Sequence, residues 1–190
     1  MKFRAVLTGL LMVAGVGLVG SGLMQPAKAL LGQVLLNAAF AHGGVQPWPG
    51  ADMKPVARMH FDRLGVSRII LDQASGEGMA WGPGIVVGTS IPGDPGSSVV
   101  AGHRDTHMAF LQKLRIGDTL TIESLDGRVT GFKVGRAIVV DGSRWKMPID
   151  ERGQAMIYLT TCWPFGVQET GKKRFVVMAH KQADKFNDVL

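Results

Sequence analysis

A single cysteine, Cys162, and a single tyrosine, Tyr158, stand in a chain of 190 residues. One thiol cannot close a disulfide within its own chain, so a stapled scaffold is excluded. That one cysteine and five histidines show no metal-ligand spacing; His103 and His107, at i and i+4, lack a third ligand. No metal or cofactor is therefore expected. Lys and Arg form no long block, and the formal net charge of +6 is spread through the chain. A basic domain can favour an anionic surface, but the exported location argued below speaks against nucleic acid. A strand–GxGxxG–helix phosphate pattern is also missing, as are internal repeats and low-complexity tracts.

What is present begins with an uncharged run, Ala5 to Met24, preceded by Lys2 and Arg4. It is as long as a bilayer-spanning helix needs to be. The positive flank predicts an N-terminus inside the cell and the rest of the chain outside. Ala27-Lys28-Ala29 offers a signal-peptide cleavage pattern as the competing reading. The apolar stretch exceeds a usual signal core, and helix-forming sequence continues to Phe40, so a retained anchor is preferred. The expected organisation is a cytoplasmic tip and transmembrane anchor over 1–26, a helix and Pro/Gly linker over 27–55, and a folded domain over 56–190. About 140 residues suffice for one domain with a real core. Its expected place is outside the cytoplasm, held to the inner membrane. A lone thiol kept in an oxidising compartment is either a buried small hydrophobe or a reactive group.

Leu30, Leu31, Val34, Leu35 and Ala38 recur at near-helical spacing and predict a helix over 27–41, stopped by His42-Gly43-Gly44. Gln46-Pro47-Trp48-Pro49-Gly50 is a stiff connector, with Trp48 docked on the domain or at the membrane interface. Beyond Val56 the chain reads as eight strands: 57–60, 67–71, 84–88, 98–101, 119–124, 128–140, 155–161 and 174–180. Clusters of Gly, Pro, Asp and Ser separate them, and Asp126-Gly127 is a hairpin signal. A short helix is predicted over 106–114. Many short strands without alternating long helices predict an all-β barrel or sandwich.

Three strand ends carry reactive side chains. One run ends at Ala101-Gly102-His103, another delivers Leu159-Thr160-Thr161-Cys162, and Lys172-Lys173-Arg174 opens the last. A thiol near its reference pKa of about 8.5 is mostly protonated at neutral pH and needs a base. A histidine can take that proton and return it to a leaving amine. A guanidinium can stabilise the oxyanion formed by attack on an amide. His107 competes with His103 for the base role. His103 as a turn residue and Arg174 as a surface cation are the bland alternatives.

Small residue-Gly-His, Tyr158-Leu159-Thr160-Thr161-Cys162 and the later Arg174 together resemble the sortase family of cysteine transpeptidases, in the same order. The resemblance spans roughly Val56 to Lys181, and the stretch from Phe61 to Asp105 looks most like the proteobacterial subgroup. It implies an eight-stranded sortase-type β-barrel with short helices. It also implies that Cys162 attacks an LPxTG-like sorting signal of an exported protein, forms a thioacyl enzyme, and yields the acyl group to an amine acceptor. His103 would be the acid/base and Arg174 the oxyanion or backbone holder, with Thr161 assisting. The loop from Arg144 to Gln154 lies where sortases select substrate, so Trp145, Met147, Pro148 and Ile149 are expected groove residues, or else the loop's own small core. Hydrolysis of the same thioacyl enzyme, an L,D-transpeptidase-like cell-wall enzyme and a non-catalytic envelope binding domain are the rival readings. The L,D-type places a Ser-His-Gly string before its cysteine, where this chain has Thr-Thr.

Overall fold

The computed structural model describes residues 30–150, 152–167 and 171–182. The expected anchor over 1–26 lies outside the described residues; among those described, no helix is long and apolar enough to cross a membrane. Among the described residues eight strands form: β1 Pro55–Phe61, β2 Val66–Leu71, β3 Gly84–Ile85, β4 Ser97–Ala101, β5 Thr119–Ser124, β6 Val129–Asp141, β7 Met156–Cys162 and β8 Lys173–Lys181. They close into a barrel in the order β1-β2-β3-β4-β7-β8-β6-β5. Closure leaves no long unpaired edge. Two neighbouring pairs are parallel, β2 with β3 and β4 with β7, and the remainder are antiparallel.

Side chains alternate across each strand, and that alternation sorts the barrel. Met59 and Phe61 of β1, Leu120 and Ile122 of β5, and Phe132 of β6 fill the interior. In β7 the interior takes Ile157 and Leu159, whereas Tyr158 faces outward into a second apolar cluster with Val99 of β4 and Val176 of β8. That outer cluster is covered by Val140, Trp145 and Met147. Strand β7 is thus buried on both faces, which explains its nearly unbroken apolar run. The Asp126-Gly127 hairpin joins β5 to β6, with Gly127 at φ 81° where only glycine sits without strain.

The expected N-terminal helix is present from residue 30 to 41 within the described residues. Its buried face differs from the expected stripe. Gly32, Leu36, Ala39 and Phe40 turn inward, while Leu30, Leu31 and Val34 are exposed. The reason is Trp81: a Cβ on Gly32 would lie 2.9 Å from its ring, so only glycine permits that approach. Gln33 then donates to the Trp81 carbonyl at 3.1 Å and accepts from the Ile69 amide at 2.9 Å. Trp48 docks on the domain, its ring 4.7 Å from that of Trp81. Two further expectations are corrected. The helix over 106–114 is a short 3-10 turn, Ala109–Lys113, and the third strand contracts to two residues, Gly84–Ile85, with one more bond from the Val86 amide to the Val99 carbonyl before the chain turns at 87–88.

Candidate active site

Parallel pairing of β4 with β7 sets Ala101 beside Thr160, so both strands leave the barrel at the same rim. Strand β8 runs the opposite way and begins at that rim, with Arg174 directly across from Cys162. Cys162 and Arg174 fall on the outward-facing parity of their strands, shared with Tyr158 and Val176. His103 follows β4 two residues after Ala101. All three line one cavity of about 350 Å³, whose apolar walls come from Met79, Trp145, Met147 and Val176. A larger cleft of about 570 Å³ opens at the opposite rim beside Ala155 and Lys181, but neither cysteine nor histidine lines it.

The rim is braced from within. The Gly102 amide donates to the Thr160 carbonyl at 3.3 Å, and the Thr161 hydroxyl donates to the Gly102 carbonyl at 2.7 Å. Gly102 is tightly enclosed: a Cβ would lie 3.0 Å from Met108 and 3.2 Å from Pro83, so both neighbours would have to shift to admit one. Packing therefore favours glycine before His103. Gly142 plays the same part for Arg174, since a Cβ there would meet the arginine stem at 2.8 Å. Arg174 spends Nη1 on the carbonyls of Gly171 and Lys173, at 2.8 and 2.9 Å. Those bonds orient the planar fork, and its Nε and Nη2 donate to no described residue.

The two histidines are separated by environment. His103 lines the cavity. His107 is buried, with 2% exposure, and its Nε2 lies 3.2 Å from the Ala80 carbonyl. Burial pushes its pKa down to about 4, opposed by the Ala80 bond and helped by Arg68 and His103. At neutral pH it is an uncharged, committed packing residue that braces the turn carrying Met79.

Of the loop residues expected in the groove, Trp145 and Met147 line the cavity and Pro148 and Ile149 do not. The Pro148 carbonyl accepts a 3.1 Å bond from the Tyr158 hydroxyl, which ties the loop onto β7. Ile149 is 39% exposed. Thr161 lines the cavity, yet its hydroxyl is already bonded to Gly102. Sequence reasoning missed Met79, Val140, Gly142 and Val176 in the wall. It also missed Arg104, which is almost wholly buried beside the same rim. The signal for Arg104 was adjacency to His103; for Met79 there was none.

A closed eight-stranded β-barrel with a cysteine, a histidine and an arginine gathered at one rim defines a cysteine transpeptidase. The sequence matches the Sortase domain over residues 59–182, well over half of the chain, and the protein belongs to the sortase family. Sortases act on proteins that bear sorting signals. No curated protein sequence matches the chain. Among solved structures it is similar to the Sortase D5 transpeptidase of Clostridium perfringens, with a TM-score of 0.64 at 17% identity over 83% of this chain and 99% of that one. Sortase C-1 of Actinomyces oris is 30% identical over 68% of this chain and 75% of its own, with a TM-score of 0.56. Sortase A of Corynebacterium diphtheriae superposes with a TM-score of 0.62 at 19% identity over 84% of this chain and 87% of that one.

Proposed function

We propose that this protein is a membrane-anchored sortase of the proteobacterial type, which cuts an LPxTG-like sorting signal of an exported protein and passes the new carboxyl end to an amine. Cys162 Sγ attacks the scissile carbonyl carbon, forming the C–S bond as its proton goes to His103. The tetrahedral oxyanion lies against the free edge of the Arg174 guanidinium. Collapse breaks the C–N bond, and His103 protonates the departing amine. A second amine then attacks the thioester, gives a proton to His103, and displaces the thiolate. What carries this reading is the convergence of Cys162, His103 and Arg174 on one cavity with apolar walls. Met79, Trp145, Met147 and Val176 suit the aliphatic side chains of such a signal.

Mass spectrometry of the full-length protein with an LPxTG peptide and a free amine tests the chemistry. An adduct on Cys162 that disappears as peptide–amine product accumulates is expected. A product with a free carboxylate alone would replace transfer with hydrolysis. The anchor is tested by fractionation. Full-length protein should sit in the inner membrane, open to protease from the outer side only; a soluble form starting near Leu30 would overturn it.

A further inference from the structure

We propose that Arg104 is a positioning residue for this chemistry: its buried guanidinium locks the segment after Cys162 to the segment that carries His103. The inference rests on the site reading above and adds what holds the segment after the nucleophile to the segment that carries the base. Ladder bonds between β4 and β7 end at Gly102 and Thr160, one residue short of His103 and two short of Cys162. Past that point both chains leave the sheet. Among the described residues, the hydrogen bonds that join residues 103–108 to 163–167 are those of Arg104. Its Nη1 donates to the Pro164 carbonyl at 2.7 Å, and its Nη2 donates to the Val167 carbonyl. The other edge of the fork meets Asp105, Nε to Oδ1 at 2.9 Å and Nη2 to Oδ2 at 3.1 Å.

The chemistry of the side chain explains why an arginine is there. Arg104 is only 4% exposed, and a desolvated cation is costly unless it is paired and fully hydrogen-bonded. Asp105, whose side chain is 68% exposed, supplies the opposite charge from the solvent side. A planar five-donor fork can reach two carbonyls of one turn and a carboxylate at once, whereas an ammonium is a compact point charge without that geometry. Residues 164 and 167 belong to the turn that leaves Cys162, and Trp163 and Phe165 of that turn pack on Phe175 at the start of β8. Anchoring this turn to residue 104 therefore sets where Sγ lies relative to the His103 ring. The charged and titratable groups around the thiol are His103, Arg104 with Asp105, and Arg174.

Misplacement of reacting groups by about 1 Å can cost on the order of 10²-fold in rate. The test uses full-length Arg104→Ala and Arg104→Lys, compared at a temperature where circular dichroism shows each folded. Single-turnover acylation by an LPxTG peptide should fall roughly 10- to 10²-fold in both variants, with KM moving far less than kcat. Alkylation of Cys162 by iodoacetamide, followed across pH, should shift toward the profile of His103→Ala, because the thiol no longer meets its base. Lysine restoring wild-type rates would reduce the role to charge and overturn the bracing. Wild-type acylation and alkylation in folded Arg104→Ala would overturn it too. If Arg104→Ala does not fold, Arg104→Lys alone decides by the same readouts. Cys162→Ala runs alongside: persistent acylation there refutes the site reading itself, whereas a dead Cys162→Ala with normal Arg104 variants refutes only this inference.

Discussion

The Thr161 hydroxyl donates to the Gly102 carbonyl at 2.7 Å, inside the rim, and joins the residue before Cys162 to the residue before His103. The bond is buried, with Thr161 3% exposed. Thr161→Val keeps the shape and removes the donor, leaving a buried carbonyl without its partner. The expected loss is about 1–3 kcal/mol of stability. Thr161→Ser keeps the bond and should lose less. Urea denaturation of the three proteins checks this; a valine variant as stable as wild type would contradict it.

Cys162→Ala should abolish peptide cleavage while leaving the thermal midpoint nearly unchanged, because the thiol is only partly buried. His103→Ala should slow acylation by about 10²–10⁴-fold, the usual cost of a lost general acid/base. His107→Ala should instead lower stability, since it removes a packed ring and its contact with Ala80. Parallel kinetics and melting curves separate the two. A slow but stable His107→Ala with a normal His103→Ala would reverse the assignment.

Arg174→Lys keeps the charge and loses the fork. The carbonyls of Gly171 and Lys173 occupy one nitrogen of the arginine, and a lysine has no second, separately placed nitrogen to present to the substrate. A loss of about 10²–10³-fold in acylation rate is expected, as for removal of one oxyanion donor. A silent Arg174→Lys, with Arg174→Ala showing only a salt-sensitive binding defect, would make this residue a surface cation.

His107 also predicts a pH dependence of folding. Its folded pKa of about 4 lies below the unfolded value of 6.5, chiefly because burial disfavours the charged ring. The unfolded chain therefore binds more protons between those values. The stability associated with the neutral ring is fully present above pH 6.5 and is lost as pH falls toward 4. The span corresponds to roughly 3 kcal/mol. His107→Gln should flatten the plot of unfolding free energy against pH by about one proton in that window. Equal slopes for variant and wild type would refute it.

The positions of eight strands, the Asp126-Gly127 hairpin and the placement of Cys162, His103 and Arg174 at strand ends were legible in the sequence. These are local signals: apolar alternation at period 2, turn residues that need particular backbone angles, and short strings of specific residues. Tertiary structure decided the rest, because strand pairing is a choice among distant partners. Only the parallel match of β4 with β7 carries the Gly102–His103 end to the Thr161–Cys162 end across 59 positions of chain. The helix over 30–41 was legible as a helix, but its buried face was set by Trp81, which no periodicity within the helix reveals. Pro148 and Ile149 share the composition of their neighbours Trp145 and Met147, and the bond from Tyr158 decides which side of that loop meets the cavity. Nothing in the sequence marks Arg104 as buried, since charge in a sequence is mute about burial. Its role follows from two carbonyls about sixty residues away, a distance that only the closed barrel removes.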